Sequence, residues 1–323
     1  MRMVKRIVDI FLLLLILGLG ACLLVPDFSS VIEARVTLPL RELMTGIFGA
    51  FALPIFEILV VAIPVLLIIM LARGYISGVT TVAKLLLATY ILTLGIPSKL
   101  PTKLSVPKEP TAEEYATVAR LLCDRLGEAP PPEDYTLTAA ATAATNYARE
   151  SLGIDITEVP KIKQSMAPAV LTEMGIVAYF AFATAEVVVN TAAPDFMTVF
   201  ATAHETMHLL GVTREDEASF HATLALIASG DTALLSTAYL SAFVYVGARL
   251  CTLNFDTYSE IYDHLPDFAR QMLDLRTEFL GQKGNTLGKV SDTLNDAAIG
   301  LCDSRGADSY SGTAALLVSY FLE

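Results

Sequence analysis

Three apolar stretches crowd the first hundred residues, and they restrict the fold more than any other feature: Ile7 to Val25, Ile58 to Leu71 with a mostly apolar lead-in from Ile47, and Ile76 to Ile96. A bilayer core of about 30 Å takes roughly 20 apolar residues in helical form. The first and third runs are long enough, and the second is long enough with its lead-in, so the sequence predicts three membrane-spanning helices. Arg2, Lys5 and Arg6 precede the first run, and positive charge tends to stay in the cytoplasm, which places the N-terminus inside. Three crossings then put everything after residue 100 outside. The basic start followed by Leu19-Gly20-Ala21-Cys22 also resembles a lipoprotein-processing box, so cleavage there is the competing expectation. Either outcome leaves the larger part of the chain extracytoplasmic.

Charge divides along the same line. Up to residue 110 there are 10 Lys+Arg against 6 Asp+Glu, and taking these from the whole-chain totals of 22 and 34 leaves 12 against 28. The net charge of −12 therefore belongs to the C-terminal part. An acidic domain repels phosphate backbones and releases no counterions, which excludes nucleic acid as a partner. A chain that is 54% hydrophobic and 17% charged suits a membrane protein with a sizeable polar domain, not a soluble enzyme. Cys22, Cys123, Cys251 and Cys302 form no CxxC pair, which argues against a thiolate zinc site and against a dense disulfide framework.

Pro97, Pro101, Pro107 and Pro110, interspersed with Lys99, Lys103 and Lys108, mark a boundary between a membrane domain at 1–100 and an extracytoplasmic domain at 101–323. Between the first two spans, Val31 to Phe51 carries Glu33, Arg35, Arg41 and Glu42 at helical intervals. This predicts a helix on the outer membrane surface, with an ordinary loop as the alternative. Beyond the boundary, helical patterns cover about 111–128, 135–152, 195–210, 214–229, 232–250, 266–281, 287–303 and 310–322. The β-branched run from Glu186 to Thr191 reads as a strand stopped before a helix. The expected class is α+β, predominantly α-helical, with a small sheet. Ala233 to Leu250 is apolar enough to raise a fourth span, but Tyr239, Tyr245 and interspersed serines favour a buried helix.

Within the pattern that starts near Asp195, His204-Glu205-Thr206-Met207-His208 is a HExxH sequence. Positions four apart stack on one helical face, so both imidazoles can reach one ion at the roughly 2.0 Å that zinc–nitrogen bonds require. Glu205 lies one position round, where a base must sit to take a proton from water held at the metal. Gly211 ends that helix, and Thr213 with Asp216 can cap a second one folding back over the histidines. Glu217 shares the buried face of Phe220, Leu224 and Ile227. A lone carboxylate there is costly without a cationic partner, and a divalent metal supplies one. His221, one turn later, and Glu215, under a different winding of the turn, are the rival third ligands. Arg214 occupies the position where an extended HExxHxxGxx pattern would place a third histidine, and arginine binds no metal.

The segment Val188-Val189-Asn190-Thr191 with Pro194-Asp195-Phe196, followed by HETMHLLGVTREDEASF at 204–220, resembles the bacterial membrane family called domain of unknown function 3810. Its members are regarded as zinc metallopeptidases of the zincin-like superfamily. Ile32-Glu33-Ala34-Arg35, Ala52-Leu53-Pro54, Asn295-Asp296 and Ser309-Tyr310-Ser311-Gly312 are similar to further patterns of that family. The resemblance implies a zincin-like domain in which His204, His208 and Glu217 hold Zn2+ and Glu205 is the catalytic base. It also makes Tyr310 a candidate oxyanion partner. Two positions depart from it: His221 stands where an apolar residue is expected, and Leu94-Gly95-Ile96-Pro97 replaces an aromatic, Asn-rich signature.

The sequence thus leads to a multi-pass protein of the cell membrane whose outer domain is a zinc-dependent metallopeptidase acting on a peptide or protein substrate. An exposed edge at Val187 to Thr191 would align that substrate, with Glu186 or Asn190 facing it. The alternative is a non-catalytic, zinc-stabilised membrane receptor or scaffold.

Overall fold

A computed structural model describes residues 2–100, 104, 108–131, 136–154, 156, 158–284, 286–293 and 309–323. The chain divides into two compact units, Met1–Pro101 with Ala181–Glu186, and Thr102–Phe180 with Val187–Glu323. It is mostly helical with one small three-stranded sheet.

The N-terminal unit contains α1 (Arg2–Cys22), α2 (Pro26–Ile32), a π-helical turn Glu33–Thr37, α3 (Leu38–Gly49), α4 (Ile55–Ala72) and α5 (Ile76–Tyr90). A second π-turn, Ile91–Gly95, and a 3-10 turn, Pro97–Lys99, prolong α5. Two of its helical stretches, Ile55–Ala72 and Ile76–Lys99, are long and apolar enough to cross a membrane, while the apolar part of α1, Asp9–Cys22, is shorter. No side chain of α4 is buried, a surface suited to lipid. Lys84 donates to Asp9 Oδ1 at 2.8 Å, and a Cβ built on Gly95 would lie 3.7 Å from Leu23 Cδ2. Those two meetings in the same chain order make α1 and α5 parallel.

The segment from Pro26 to Gly49 is helical, but its polar stripe faces inward. Glu33, Thr37, Arg41 and Thr45, each four residues from the next, are buried, whereas Val31, Val36, Leu43 and Ile47 are exposed. This reverses the amphipathicity expected of a helix lying on the membrane surface. The cause lies in the second π-turn, whose wider winding releases carbonyls from the i to i−4 ladder. Arg41 Nη2 donates to Thr93 O at 2.9 Å and Thr37 Oγ1 to Leu92 O at 3.2 Å. Arg41 Nη1 also pairs with Glu33 Oε1 at 3.2 Å, so the buried cation has its counter-ion.

The loop Ala181–Glu186 completes this unit. Glu186 accepts hydrogen bonds from the first amides of α4, Ile55 N at 2.9 Å and Phe56 N at 2.8 Å, and from Thr184 Oγ1 at 2.6 Å. A carboxylate there satisfies orphan donors and favours the helix dipole. The Phe182 ring packs edge-on against Phe56 and Tyr90, each 6.2 Å away. Glu186 is thus a buried cap of α4 and does not face a substrate.

In the second unit, β1 (Lys163–Gln164), β2 (Ala178–Ala181) and β3 (Glu186–Val189) form a sheet in the order β1-β3-β2. β1 runs parallel to β3, with Lys163 opposite Val188 and Gln164 opposite Val189. β3 is therefore the central strand and is buried throughout, not an exposed edge. Around the sheet lie α6 (Ala112–Glu128), α7 (Leu137–Ser151), α8 (Pro168–Met174), α9 (Asp195–Leu209), α10 (Glu215–Ala228), α11 (Thr232–Leu253), α12 (Phe255–Asp263) and α13 (Asp267–Gly281). A helical run α14 at 287–293 and α15 (Ser309–Leu322) follow. Several of these helices start where side chains satisfy their orphan amides. Thr111 and Glu114 close a capping box on α6, and Asp231 and Asn254 cap α11 and α12. α11 also has the length and hydropathy of a span, but 61% of its apolar window is buried, as a core helix requires. Its Leu240, Phe243 and Leu250 pack with Tyr115, Leu122 and Leu126 of α6 and Leu317 of α15.

A second cluster positions the functional helix. Val199, Ala203 and Met207, four residues apart on α9, are fully buried with Ala140 and Ala144 of α7 and Ala222 and Leu226 of α10. A helix so wedged presents its next positions, 204 and 208, along the rim of that face. Replacing Met207 by alanine would open a cavity in this cluster, at about 2–5 kcal/mol.

Candidate metal centre

α9 ends in a Schellman turn: Val212 N donates to Met207 O at 3.0 Å, Gly211 N to His208 O at 3.1 Å, and Gly211 takes a φ of 95°. That left-handed geometry suits glycine. The turn reverses the chain so that Glu215, the first residue of α10, arrives over the two histidines. His204 Nε2 and His208 Nε2 are 3.0 Å apart. Glu215 Oε2 is 3.2 Å from His204 Nε2, and its Oε1 is 3.4 Å from His208 Nε2. Among the described residues these three side chains form the group able to hold a metal ion.

The donor set fits zinc. Bonds of about 2.0–2.1 Å at tetrahedral angles put neighbouring donors about 3.3 Å apart, and the three measured separations bracket that value. Two imidazoles and a carboxylate are also the donors that zinc takes when one position is kept open. Side-chain exposures of 12%, 14% and 23% for His204, His208 and Glu215 leave the group partly reachable from solvent.

The carboxylate that joins the two imidazoles is thus Glu215, not Glu217. Glu217 is buried, as its apolar face demands, but its cation is an arginine: Glu217 Oε1 lies 3.5 Å from Arg214 Nε. Arg214 also grips Asp216, with Nε at 3.2 Å from Oδ1 and Nη2 at 3.1 Å from Oδ2. The expected cap by Thr213 and Asp216 is replaced by Arg214 at the N-cap with no side-chain bond, and Asp216 Oδ1 accepts from Glu217 N at 3.0 Å.

Glu205 sits beside the group with its carboxylate held by the sheet: Phe180 N, on β2, donates to Glu205 Oε2 at 2.7 Å. Burial raises the Glu205 pKa, and Glu215 adds to this, against the lowering effect of the two histidines and the Phe180 amide. At His208, burial lowers the pKa, but the charge of Glu215, its hydrogen bond, the charge of Glu205 and the Val212 carbonyl together lift it to about 9. Glu215 is shifted the other way: its burial is outweighed by His208 and His204, which hold it well below the usual carboxylate range.

The remaining candidates lie elsewhere. His221 is buried on α10, with Nδ1 3.4 Å from the Tyr147 hydroxyl and its ring against Tyr147 and Phe220. It is not in the metal-binding group. Asn190 is a structural clasp: Nδ2 donates to Thr172 Oγ1 and Ile176 O, both at 3.0 Å, and Oδ1 accepts from Ala192 N at 3.0 Å. The side chain of Tyr310 lies outside the described residues. Residues the sequence did not single out at the centre are Val212, whose carbonyl meets His208 Nδ1 at 2.7 Å, and Ser219, whose hydroxyl meets His204 Nδ1 at 3.1 Å.

A family model described as protein of unknown function (DUF3810) matches residues 35–318. No curated protein and no solved structure matches the chain.

Proposed function

We propose that this chain, which belongs to the DUF3810 family, is a membrane-anchored zinc-dependent metallopeptidase whose zincin-like catalytic domain lies outside the cell membrane. The observation that carries this is the convergence of His204 Nε2, His208 Nε2 and the Glu215 carboxylate with Glu205 next to them on the same helix. His204, His208 and Glu215 would hold the ion. Zinc bound there supplies Lewis acidity, polarising a peptide carbonyl and making water easier to deprotonate.

The chain's own groups do the rest. Glu205 is the general base, held in place through Oε2 by the Phe180 amide. It removes a proton from the attacking water and later delivers it to the leaving amine, a double use that favours a pKa above that of an exposed carboxylate. β2 runs beside Glu205, because the Phe180 N–H reaches its carboxylate. His221 engages Tyr147 and is absent from the donor group, so among the described residues no fourth protein ligand closes the centre, which favours catalysis over a structural zinc site.

The two helices of the N-terminal unit that are long and apolar enough to cross a membrane and the inside-out helix at 26–49 support anchoring in the cell membrane with several passes. Substitution Glu205→Gln tests the mechanism: zinc content is expected to stay while hydrolysis of a peptide library stops. Peptidase activity retained in that variant would refute the assignment of Glu205.

A further inference from the structure

Each imidazole of the centre offers one ring nitrogen to the ion and must settle the other. His208 Nδ1 faces the carbonyl of Val212 at 2.7 Å, an atom that only accepts, so this nitrogen carries a proton and Nε2 is the one left for the ion. His204 Nδ1 instead faces a hydroxyl, Ser219 Oγ, at 3.1 Å. A hydroxyl can donate or accept. Were it to donate, His204 would carry its proton on Nε2 and close the position the ion needs.

The surroundings of Ser219 offer its own hydrogen a second acceptor. Its Oγ is also 3.0 Å from the Tyr245 hydroxyl. Ser219 is fully buried on α10, and Thr223 Oγ1 bonds its carbonyl at 3.0 Å, which pins that turn of the helix. The Phe200 ring lies 6.4 Å from the His204 ring and 6.1 Å from the Tyr245 ring, flanking both polar partners with an apolar wall. Tyr245 stays protonated, since burial raises its pKa.

We propose that Ser219 and Tyr245 are positioning residues for the metal centre: Ser219 Oγ accepts a hydrogen bond from His204 Nδ1–H and turns its own hydrogen to Tyr245 Oη, which presents the His204 Nε2 lone pair toward His208 and Glu215. Three helices take part, α9 with the imidazole, α10 with the serine and α11 with the tyrosine. This gives the apolar α11 a polar task at one position, and it rests on the zinc-centre reading above. Partners of this kind fix both the tautomer and the orientation of a ligand.

The test uses the full chain in detergent micelles, with zinc as the probe. Zinc affinity by chelator competition, the metal-free unfolding temperature, and the protonated nitrogen of each of the four histidines by 15N-imidazole resonance are read in parallel. Ser219→Ala is expected to weaken zinc binding about ten- to a hundredfold and Tyr245→Phe about tenfold, at little change in metal-free unfolding temperature. Ser219→Thr, which keeps the hydroxyl, should restore most of the affinity, and the parent should show His204 protonated at Nδ1. Affinities of Ser219→Ala and Tyr245→Phe both within about twofold of the parent overturn the proposal. A loss that merely follows a lowered metal-free unfolding temperature, with no rescue by threonine, also overturns it. A parent that binds no zinc brings down the zinc-centre reading itself, an outcome visible before any variant is compared.

Discussion

Exchanging the two neighbouring glutamates of α10 separates a metal ligand from a structural ion pair. Glu215→Gln keeps shape and size but removes the charge that lies 3.2 and 3.4 Å from the two imidazoles. Zinc sites with four protein ligands bind with about 10–16 kcal/mol, so one ligand is worth about 2.5–4 kcal/mol on average. At 1.4 kcal/mol per tenfold, that is about a hundred- to a thousandfold in affinity. Glu217→Gln should leave zinc affinity within about threefold, because Glu217 faces Arg214 at 3.5 Å with side chains only 8% and 13% exposed. Its cost falls on stability. Removing one partner of a buried pair costs about 3–5 kcal/mol when the other charge is stranded. Arg214 keeps Asp216 at 3.1 Å, so about 1–2 kcal/mol is expected here, a drop of roughly 2–8 °C for a unit of this size. Chelator competition and thermal unfolding after metal removal measure the two effects separately. Zinc binding that survives Glu215→Gln and collapses in Glu217→Gln would reverse the roles derived from the geometry.

Metal-free protein should carry a signature of the same site in its pH dependence. His208 is lifted to about 9 from 6.5, chiefly by Glu215 against the effect of burial, so its contribution is complete below the unfolded value and disappears as pH rises through about 9. Glu215 is depressed from 4.5, so its contribution is present above that value and is lost on acidification. The unfolding temperature of chelator-treated protein should peak at about pH 5–6.5, and a flat alkaline limb up to pH 9 would contradict the pairing. Glu186→Ala removes the carboxylate that accepts from Ile55 N and Phe56 N, and should lower stability by about 1–2 kcal/mol in denaturation assays. Arg41→Met strands Glu33, a loss of about 3–5 kcal/mol, and adding Glu33→Leu should recover most of it. If the double variant is no more stable than the single, the pair is not the reason Arg41 is buried.

The HExxH helix was legible because its evidence is local. Four-residue spacing puts His204 and His208 on one face whatever surrounds them, and the glycine at 211 announces the turn that follows. Burial of Glu217 was legible too, from Phe220 and Leu224 on its face. Its partner was not: Arg214 cannot bind a metal, but as a cation it satisfies the same buried carboxylate, and the choice between them depends on how a three-residue turn is wound. That winding also decides that Glu215 meets the imidazoles. Strand order escaped for a different reason. β1 is only Lys163–Gln164, two residues with no alternation to detect, yet it turns β3 from an edge into a centre and leaves β2 beside Glu205. The polar stripe Glu33, Thr37, Arg41 and Thr45 has a plain helical period. Its inward direction follows from carbonyls at Leu92 and Thr93 that only a π-turn far along the chain makes available.

X-ray absorption at the zinc edge, on full-length protein purified in detergent and loaded with one equivalent of metal, tests the central claim most directly. One tightly held zinc per chain is expected, with two imidazole nitrogens and a carboxylate oxygen at about 2.0–2.2 Å and one imidazole lost in His208→Ala. Failure to retain zinc, or a shell containing sulfur at about 2.3 Å, would contradict a centre built from His204, His208 and Glu215.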